Sequence, residues 1–200
     1  IDSVHSNLKY DVISTNEYKT DRLTGKKTKL IYGPLDGEKY KSLLLYGNRL
    51  SPSASIVRKE FLIKNKVRFN ESSNFVTVED YDYWLQLAFL DANFKFIQSF
   101  EGEYLVHGGN SSGHQALHKR NELNLLKHHV FNVQKFIDDK EALWKNMLAI
   151  FSFREAYQQL KLGNFSLSLK SLWFSVYTSP YFVFKWVNFK LKFFFINIFV

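Results

Sequence analysis

The sequence changes its pattern near Gly109, and this change constrains the fold more than any other feature. Before it, strand-like runs such as Leu8–Thr15 and Lys29–Tyr32 alternate with helix-like runs such as Gly37–Tyr46, with glycine turns between them. After it, apolar residues recur at the three- and four-residue spacing of amphipathic helices. We therefore predict the α/β class, with a mixed α and β region followed by an α-helical extension.

Local patterns predict individual elements in both regions. Small residues and Ile56–Val57 indicate a buried strand, and Lys59–Lys64 indicates a short helix after it. The segment that follows Asn93 predicts two short strands around a turn at Glu101–Gly102. In the second region we predict three helices, the last two of which form a hairpin that Pro180 ends.

The charge of the chain is positive and unevenly distributed. Lys and Arg outnumber Asp and Glu by 27 to 19, which suggests an anionic partner: nucleic acid, a phosphorylated substrate or an acidic membrane surface. No acidic residue follows Glu155, whereas the tail 181–200 holds nine aromatic residues and three lysines. Such a tail is too polar to span a bilayer, and it predicts an aromatic and basic helix in the membrane interface. The alternative is a helix that docks on another part of the protein.

The chain lacks cysteine, and its N-terminal residues do not resemble a signal peptide. There is no cysteine, which excludes a disulfide framework and a thiolate zinc site. The sequence starts at Ile1 without a basic segment and an apolar run, so it has no pattern of a signal peptide. We expect the natural N-terminus to lie further upstream.

An acidic cluster precedes an apolar helical stripe at Glu79, Asp80 and Asp82. One interpretation is structural: Thr77 and Asp80 fit a capping box at a helix start. The other is chemical: a carboxylate at a helix N-terminus can act as a general base. Trp84, one turn later, offers a flat face on which a sugar could stack. Asp80 and Asp82 point about 200° apart on a helix, which argues against a metal-binding pair.

Several short segments occur in an order that resembles the C-terminal half of glycosyltransferase family 2 catalytic domains. The resemblance covers residues 1–118. It is carried by Asn48, the Ser53–Val57 strand, Arg58-Lys59-Glu60, Arg68-Phe69-Asn70-Glu71, Glu79-Asp80, Tyr104–His107 and the loop with Ser111 and Ser112.

This resemblance implies a partial GT-A-like, Rossmann-like mixed sheet that lacks its N-terminal nucleotide-binding half. It also implies an inverting transfer of a sugar from a nucleotide-diphosphate sugar to an acceptor hydroxyl, with Asp80 as catalytic base. The residues expected to bind acceptor or substrate are Glu79, Trp84, Asn48, Ser55 and Arg58.

A divalent metal ion, Mn²⁺ or Mg²⁺, is the implied cofactor. The acidic metal motif of the family is absent from this chain, and His107 is the candidate ligand. His114 and His118 are four residues apart on a predicted helix, but no acidic base lies between them, and we predict no zinc site there. The run Gly108–Gly113 predicts a loop, or a flap over the substrates.

We predict three parts: an acceptor-side half of a GT-A domain at 1–112, a helical extension at 113–180 and the membrane-associating tail at 181–200. The predicted partners are a nucleotide-sugar donor, a saccharide or lipid-linked saccharide acceptor and the membrane, but not nucleic acid. The predicted location is the cytoplasmic face of the bacterial inner membrane, as a peripheral enzyme of surface polysaccharide or glycolipid synthesis. The alternatives are a non-catalytic membrane-associated interaction module and a basic nucleic-acid-binding protein.

Overall fold

The computed structural model describes residues 9–35, 37–106 and 115–198, without the side chains of 115 and 192–198. These residues form four strands and seven α-helices, which confirms the predicted α/β class. The chain divides into two compact units, 1–126 and 127–200. The boundary predicted at 112 lies outside the described residues, and it stays a prediction.

One strand forms the centre of a mixed sheet in the first unit. The strands are β1 (Val12–Asp21), β2 (Lys27–Leu30), β3 (Ser55–Val57) and β4 (Phe94–Val106). β2 and β3 pair antiparallel with the two ends of β1, and β4 pairs parallel with β1 along most of its length. Because one strand has only two edges, β2 and β3 share one edge of β1 and β4 occupies the other.

The turn between β1 and β2 follows from its sequence. The Asp21 carboxylate accepts the backbone N–H groups of Leu23 and Thr24 at 2.9 and 2.8 Å, an arrangement that aspartate favours in turns. Gly25 then adopts a φ of +68°, which glycine tolerates without steric cost. The glycine-centred turn predicted from the sequence is therefore confirmed.

The prediction of two strands around Glu101–Gly102 is wrong, because β4 continues through both residues. The glycine has a packing role instead of a turn role. A Cβ atom on Gly102 would lie 3.1 Å from Cγ of Glu17, a buried side chain of β1. The register between the two strands also shifts around Asn16 and Glu17, so β4 passes this point as an irregular but continuous strand.

The short strand β3 also differs from its prediction. Ile56 is 49% exposed, so the strand is not buried. It contributes only three residues to one edge of β1. An apolar pair in a short run is therefore compatible with an edge position, where one face is open to solvent.

Four helices belong wholly or mainly to the first unit: α1 (Lys39–Tyr46), α2 (Lys59–Asn65), α3 (Glu79–Phe89) and α4 (Gln115–His128). α1 ends at Gly47, as predicted. The Tyr81 hydroxyl donates to the Leu43 carbonyl oxygen at 2.7 Å, and the rings of Tyr40 and Phe89 meet edge to face, so α1 and α3 pack together. This packing places the loop after α1 beside the start of α3.

The second unit consists of helices. A π-helical segment, His129–Val133, precedes α5 (Lys140–Lys161), α6 (Phe165–Thr178) and α7 (Pro180–Ile198). The Asp139 side chain caps α5 by accepting the N–H of Ala142 at 2.9 Å, and Gly163, with a φ of +77°, ends it. The predicted hairpin of helices is confirmed as α5 and α6. Among the described residues, no helix combines the length and the apolar character that crossing a bilayer requires.

Candidate functional site

The acidic cluster lies at the first turn of α3, but not in the capping box that the sequence suggested. Val78 is the N-cap residue and makes no side-chain capping bond. Thr77 has a φ of +73°, which is unusual for a β-branched residue and costs roughly 1–3 kcal/mol. Such strain persists where surrounding contacts fix the backbone, so the start of α3 has a more specific construction than a capping box.

His118 of α4 supplies one of those contacts. Its Nδ1 atom lies 3.0 Å from the carbonyl oxygen of Thr77 and 3.2 Å from its Oγ1. A carbonyl oxygen only accepts, so Nδ1 carries the hydrogen in the shorter contact. From the sequence, His118 was a candidate only for a zinc site, and this role was not predicted. No local signal could reveal it, because the two residues lie 41 positions apart.

Asp80 is half-buried, and burial is the main cause that raises the pKa of its carboxyl group. The neighbouring charge of Glu79 raises this pKa further. Three interactions oppose the rise: a hydrogen bond from the Tyr81 backbone N–H at 2.7 Å, the charge of His118, and a hydrogen bond from Asn48. A carboxylate with a raised pKa is a better proton acceptor than an ordinary surface aspartate.

Asn48 is the predicted site residue that the structure brings to Asp80. Its Nδ2 atom donates to Oδ2 of Asp80 at 3.3 Å, although the residues are 32 positions apart. Its Oδ1 atom accepts the backbone N–H of Leu50 at 3.1 Å, which orients the side-chain amide. The amide therefore holds one oxygen of the carboxylate and leaves the other with the Tyr81 N–H.

A second pair of contacts fixes the backbone around Asn48. The N–H of Gly33 donates to the carbonyl oxygen of Arg49 at 3.2 Å, and the Arg49 guanidinium returns a bond to the Gly33 carbonyl at 2.6 Å. Arg49 is buried, with 6% of its surface exposed. The loop that carries Asn48 is thus anchored to the segment after β2.

The other two acids of the cluster have different surroundings. Oε2 of Glu79 is buried and has no hydrogen-bond partner within the described part of the chain. Asp82 is buried, and Gln86 donates to its Oδ2 atom at 2.6 Å. Asp82 therefore takes part in the packing of α3, whereas Asp80 and Glu79 remain the candidates for substrate contacts.

The prediction that Trp84 offers a flat face to a sugar is wrong. Its side chain is 2% exposed and meets Tyr83 edge to face. Trp84 faces the apolar interior with Leu85, Leu87 and Ala88 rather than solvent. From the sequence, an aromatic residue one turn into a helix can be either exposed in a binding site or buried in the core. The packing of α3 buries Trp84 in the core.

Ser55 and Arg58 lie in contacts of the sheet. The Ser55 hydroxyl donates to Oγ of Ser14 at 3.0 Å, across the β1–β3 pair. The Arg58 guanidinium donates to the Tyr10 carbonyl oxygen at 2.6 and 3.2 Å, and its Nε lies 3.7 Å from Oδ1 of Asp11. These contacts give Arg58 a structural role at the start of β1 and α2, and none of them joins it to Asp80.

A buried polar group on β1 is an arrangement that the sequence did not indicate. Glu17 has no exposed surface, and its Oε2 atom accepts the Tyr32 hydroxyl at 2.8 Å. Asn16, also buried, donates to Gln98 and accepts the N–H of Tyr32 at 3.0 Å. Burial and the Glu17 carboxylate both raise the pKa of Tyr32, so its phenol stays protonated at neutral pH.

The predicted metal ligand, His107, and the predicted flap Gly108–Gly113 lie outside the described residues. Within residues 9–35, 37–106 and 115–198, no group of three or more His, Asp or Glu side chains is arranged to hold a metal ion. The described residues therefore provide no metal centre from which a step of the mechanism can be derived.

Comparison with known proteins adds no assignment. No protein-family model matches the sequence, and no curated protein matches it.

Proposed function

We propose that the first unit is the acceptor-side half of a GT-A glycosyltransferase domain that transfers a sugar, with inversion, from a nucleotide-diphosphate sugar to an acceptor hydroxyl. The observation that carries this proposal is the contact between Asn48 and Asp80. Both residues were chosen from the sequence as site residues, and the structure brings them within hydrogen-bond distance although 32 positions separate them.

In the proposed reaction, Asp80 accepts the proton of the acceptor hydroxyl while the oxygen of that hydroxyl attacks the anomeric carbon of the donor sugar. The bond from that carbon to the diphosphate oxygen breaks as the new glycosidic bond forms on the opposite face. Asn48 keeps the carboxylate oriented, and the partial burial of Asp80 raises its pKa, which favours proton abstraction.

The protonation state of Asp80 follows from the same contacts. Transfer requires the carboxylate, so activity rises as pH increases through the raised pKa of Asp80. Glu79 is a further candidate for contact with the acceptor, but not through its Oε2 atom, which is buried. A Mn²⁺ or Mg²⁺ ion, when bound, supplies positive charge that stabilises the departing diphosphate.

The tail 181–200 completes the proposal. Its backbone is helical as far as Ile198, as part of α7, and its lysines and aromatic residues suit a helix in the interface of an anionic membrane. A peripheral position at the cytoplasmic face of the bacterial inner membrane would bring the first unit to a lipid-linked acceptor. Surface polysaccharide or glycolipid synthesis is the proposed process.

The test compares the complete gene product with its Asp80→Asn form. Each is incubated with a panel of nucleotide-diphosphate sugars and a bacterial lipid extract, and release of the nucleoside diphosphate and labelling of lipid are measured. We expect Asp80→Asn to lower kcat by about 10²–10⁴-fold, the usual contribution of a general base. Asn48→Ala should lower kcat less, because the carboxylate remains.

Asp91→Asn is the matched control, because Asp91 lies just past the other end of α3, is exposed and has a φ of +57° that asparagine accommodates. Its activity should equal that of the unmodified protein. Equal turnover by the Asp80→Asn and Asp91→Asn forms would reject Asp80 as the base. Absence of transfer by every form, together with vesicle binding, would favour the non-catalytic membrane-associated module instead.

A further inference from the structure

Helix α6 buries small polar residues and exposes large apolar ones, which is the opposite of an ordinary surface helix. Its two buried residues are serines, Ser168 and Ser175. They face α5: the Ser168 hydroxyl donates to the carbonyl oxygen of Ala156 at 2.8 Å, and the Ser175 hydroxyl donates to that of Ala149 at 2.7 Å. The two serines are seven residues apart on α6, and the two alanines are seven residues apart on α5. Small residues therefore form the contact line, or seam, between α5 and α6.

The large apolar side chains of α6 point away from that seam. Trp173 is 74% exposed and Tyr177 80%, and their rings stack on each other. This outer face continues into the start of α7, where Tyr181 and Phe184 are also exposed. We use the term outer face for the exposed residues Phe165, Leu167, Leu169, Leu172, Trp173, Phe174, Val176, Tyr177, Tyr181 and Phe184.

A seam of small residues with hydroxyl-to-carbonyl bonds, and large apolar residues outside, is the reverse of helix packing driven by water. It is the pattern that helices adopt when their outer surface meets lipid, because the apolar side chains then gain nothing by packing on each other. An exposed apolar surface of this extent marks an interaction site.

The charges around the outer face select the partner. Lys170 lies on α6 between the exposed aromatic residues, and Lys161 and Lys185 lie on either side of that helix, all three exposed. The chain after Glu155 carries no acidic residue. Trp and Tyr beside Lys is the composition of helices that lie at the headgroup level of anionic bilayers, where each lysine adds to binding.

We propose that the outer face of α6, and not the α7 tail alone, inserts into the interface of an anionic lipid bilayer. The hairpin of α5 and α6 then lies on the membrane with Trp173 and Tyr177 at the headgroup level. This proposal stands independently of the sugar-transfer reaction, since it depends only on the second unit.

The experiment uses the full chain with vesicles of phosphatidylglycerol and phosphatidylcholine, compared with vesicles of phosphatidylcholine alone. The double variant Leu169→Ser/Trp173→Ser should bind the anionic vesicles at least about tenfold more weakly. Lys170→Gln should reduce binding about fivefold at low salt on anionic vesicles and leave binding to phosphatidylcholine unchanged. Circular dichroism checks that each variant keeps its helices.

The matched control replaces two exposed apolar residues of the first unit, Leu23 (96% exposed) and Ile63 (67% exposed), by serine. This control should bind vesicles as the unmodified chain does. A second control, Lys185→Gln/Lys190→Gln/Lys192→Gln, changes only the tail. If the tail variant loses binding and the Leu169→Ser/Trp173→Ser variant does not, the proposal for α6 is overturned while that for the tail survives.

Depth of insertion is measured by quenching of tryptophan fluorescence with brominated lipid. Trp173→Phe should remove a large share of the quenching, whereas Trp84→Phe should remove none, because Trp84 is buried in the first unit. Quenching that is unchanged by Trp173→Phe would overturn the proposal. So would a concentration-dependent self-association that Leu169→Ser/Trp173→Ser abolishes without any vesicle binding, because the occupant of the outer face would then be protein.

Discussion

Gly33 allows the sharpest test of the way the site is held. It lies in the segment that anchors the Asn48 loop, through two hydrogen bonds with Arg49. Its φ is +57°, and a Cβ atom there would overlap Cγ, Cδ1 and Cδ2 of the Phe96 ring on β4. Gly33→Ala therefore introduces both backbone strain and a steric overlap at one point.

The size of the effect follows from these two contributions. An alanine in the left-handed region costs about 1–2 kcal/mol, and forcing a group into a packed site costs typically about 1–3 kcal/mol more. Gly25→Ala is the matched control, since Gly25 has a similar φ of +68° and no atom within 4 Å of the added Cβ. The gain from reduced freedom of the unfolded chain is common to both variants and cancels. Gly33→Ala should thus be about 1–3 kcal/mol less stable than Gly25→Ala.

Urea unfolding measures the free energy of unfolding of the first unit. Trp84 is a suitable reporter because it is buried in that unit, and replacing Trp144, Trp173 and Trp186 by Phe leaves it as the single tryptophan. Equal midpoints and slopes for the two alanine variants would refute the reasoning, because the Phe96 ring would then have room to move at no cost. If the proposed function is correct, Gly33→Ala should also lower sugar transfer, because it displaces Asn48.

Three further predictions concern residues around the candidate base. Asp80→Asn should raise the free energy of unfolding more at pH 7 than at pH 3, measured by urea unfolding. The raised pKa of the Asp80 carboxyl group stabilises the folded state below pH 3.8, the ordinary pKa, and this stabilisation is lost as the pH rises through the folded-state pKa. An equal effect of Asp80→Asn at both pH values would contradict this prediction. His118→Ala should raise the pKa of Asp80 further and move the lower limb of the pH profile of kcat/KM to higher pH, whereas a purely structural role would lower kcat without moving that limb. Tyr81→Phe removes the bond to the Leu43 carbonyl and should cost about 0.5–1.5 kcal/mol of unfolding free energy; a loss below the error of the measurement would show that water replaces the bond.

The helices were predictable because their signals are local. Apolar spacing defines α5 and α6, and the stops at Gly47 and Gly163 lie next to the helices that they end. The same local logic failed at Gly102, where a glycine that suggests a turn is required by the approach of a strand more than eighty residues earlier. Nothing in the neighbouring sequence distinguishes these two uses of glycine.

The site was predictable only in part, and for a similar reason. Asp80 and Asn48 were chosen because the resemblance covers both of their segments. Predicting a contact between residues 32 positions apart requires such long-range information, which local patterns do not contain. Trp84 was misassigned because helical spacing alone does not say which side of α3 is covered. His118 was missed because its partner, Thr77, is defined by a backbone conformation that no sequence pattern announces.

The parallel pairing of β1 and β4 has a consequence for how the chain is made. The backbone N–H of Asn93 donates to the Asp11 carboxylate 82 residues earlier, so β1 leaves the ribosome well before β4. At about 5–20 residues per second, this interval lasts roughly 4–16 seconds. During that time β1 presents an open edge and the apolar side chains of Val12 and Ile13, which are buried in the finished fold. We expect nascent chains stalled before β4 to recruit chaperones, and longer ones to release them.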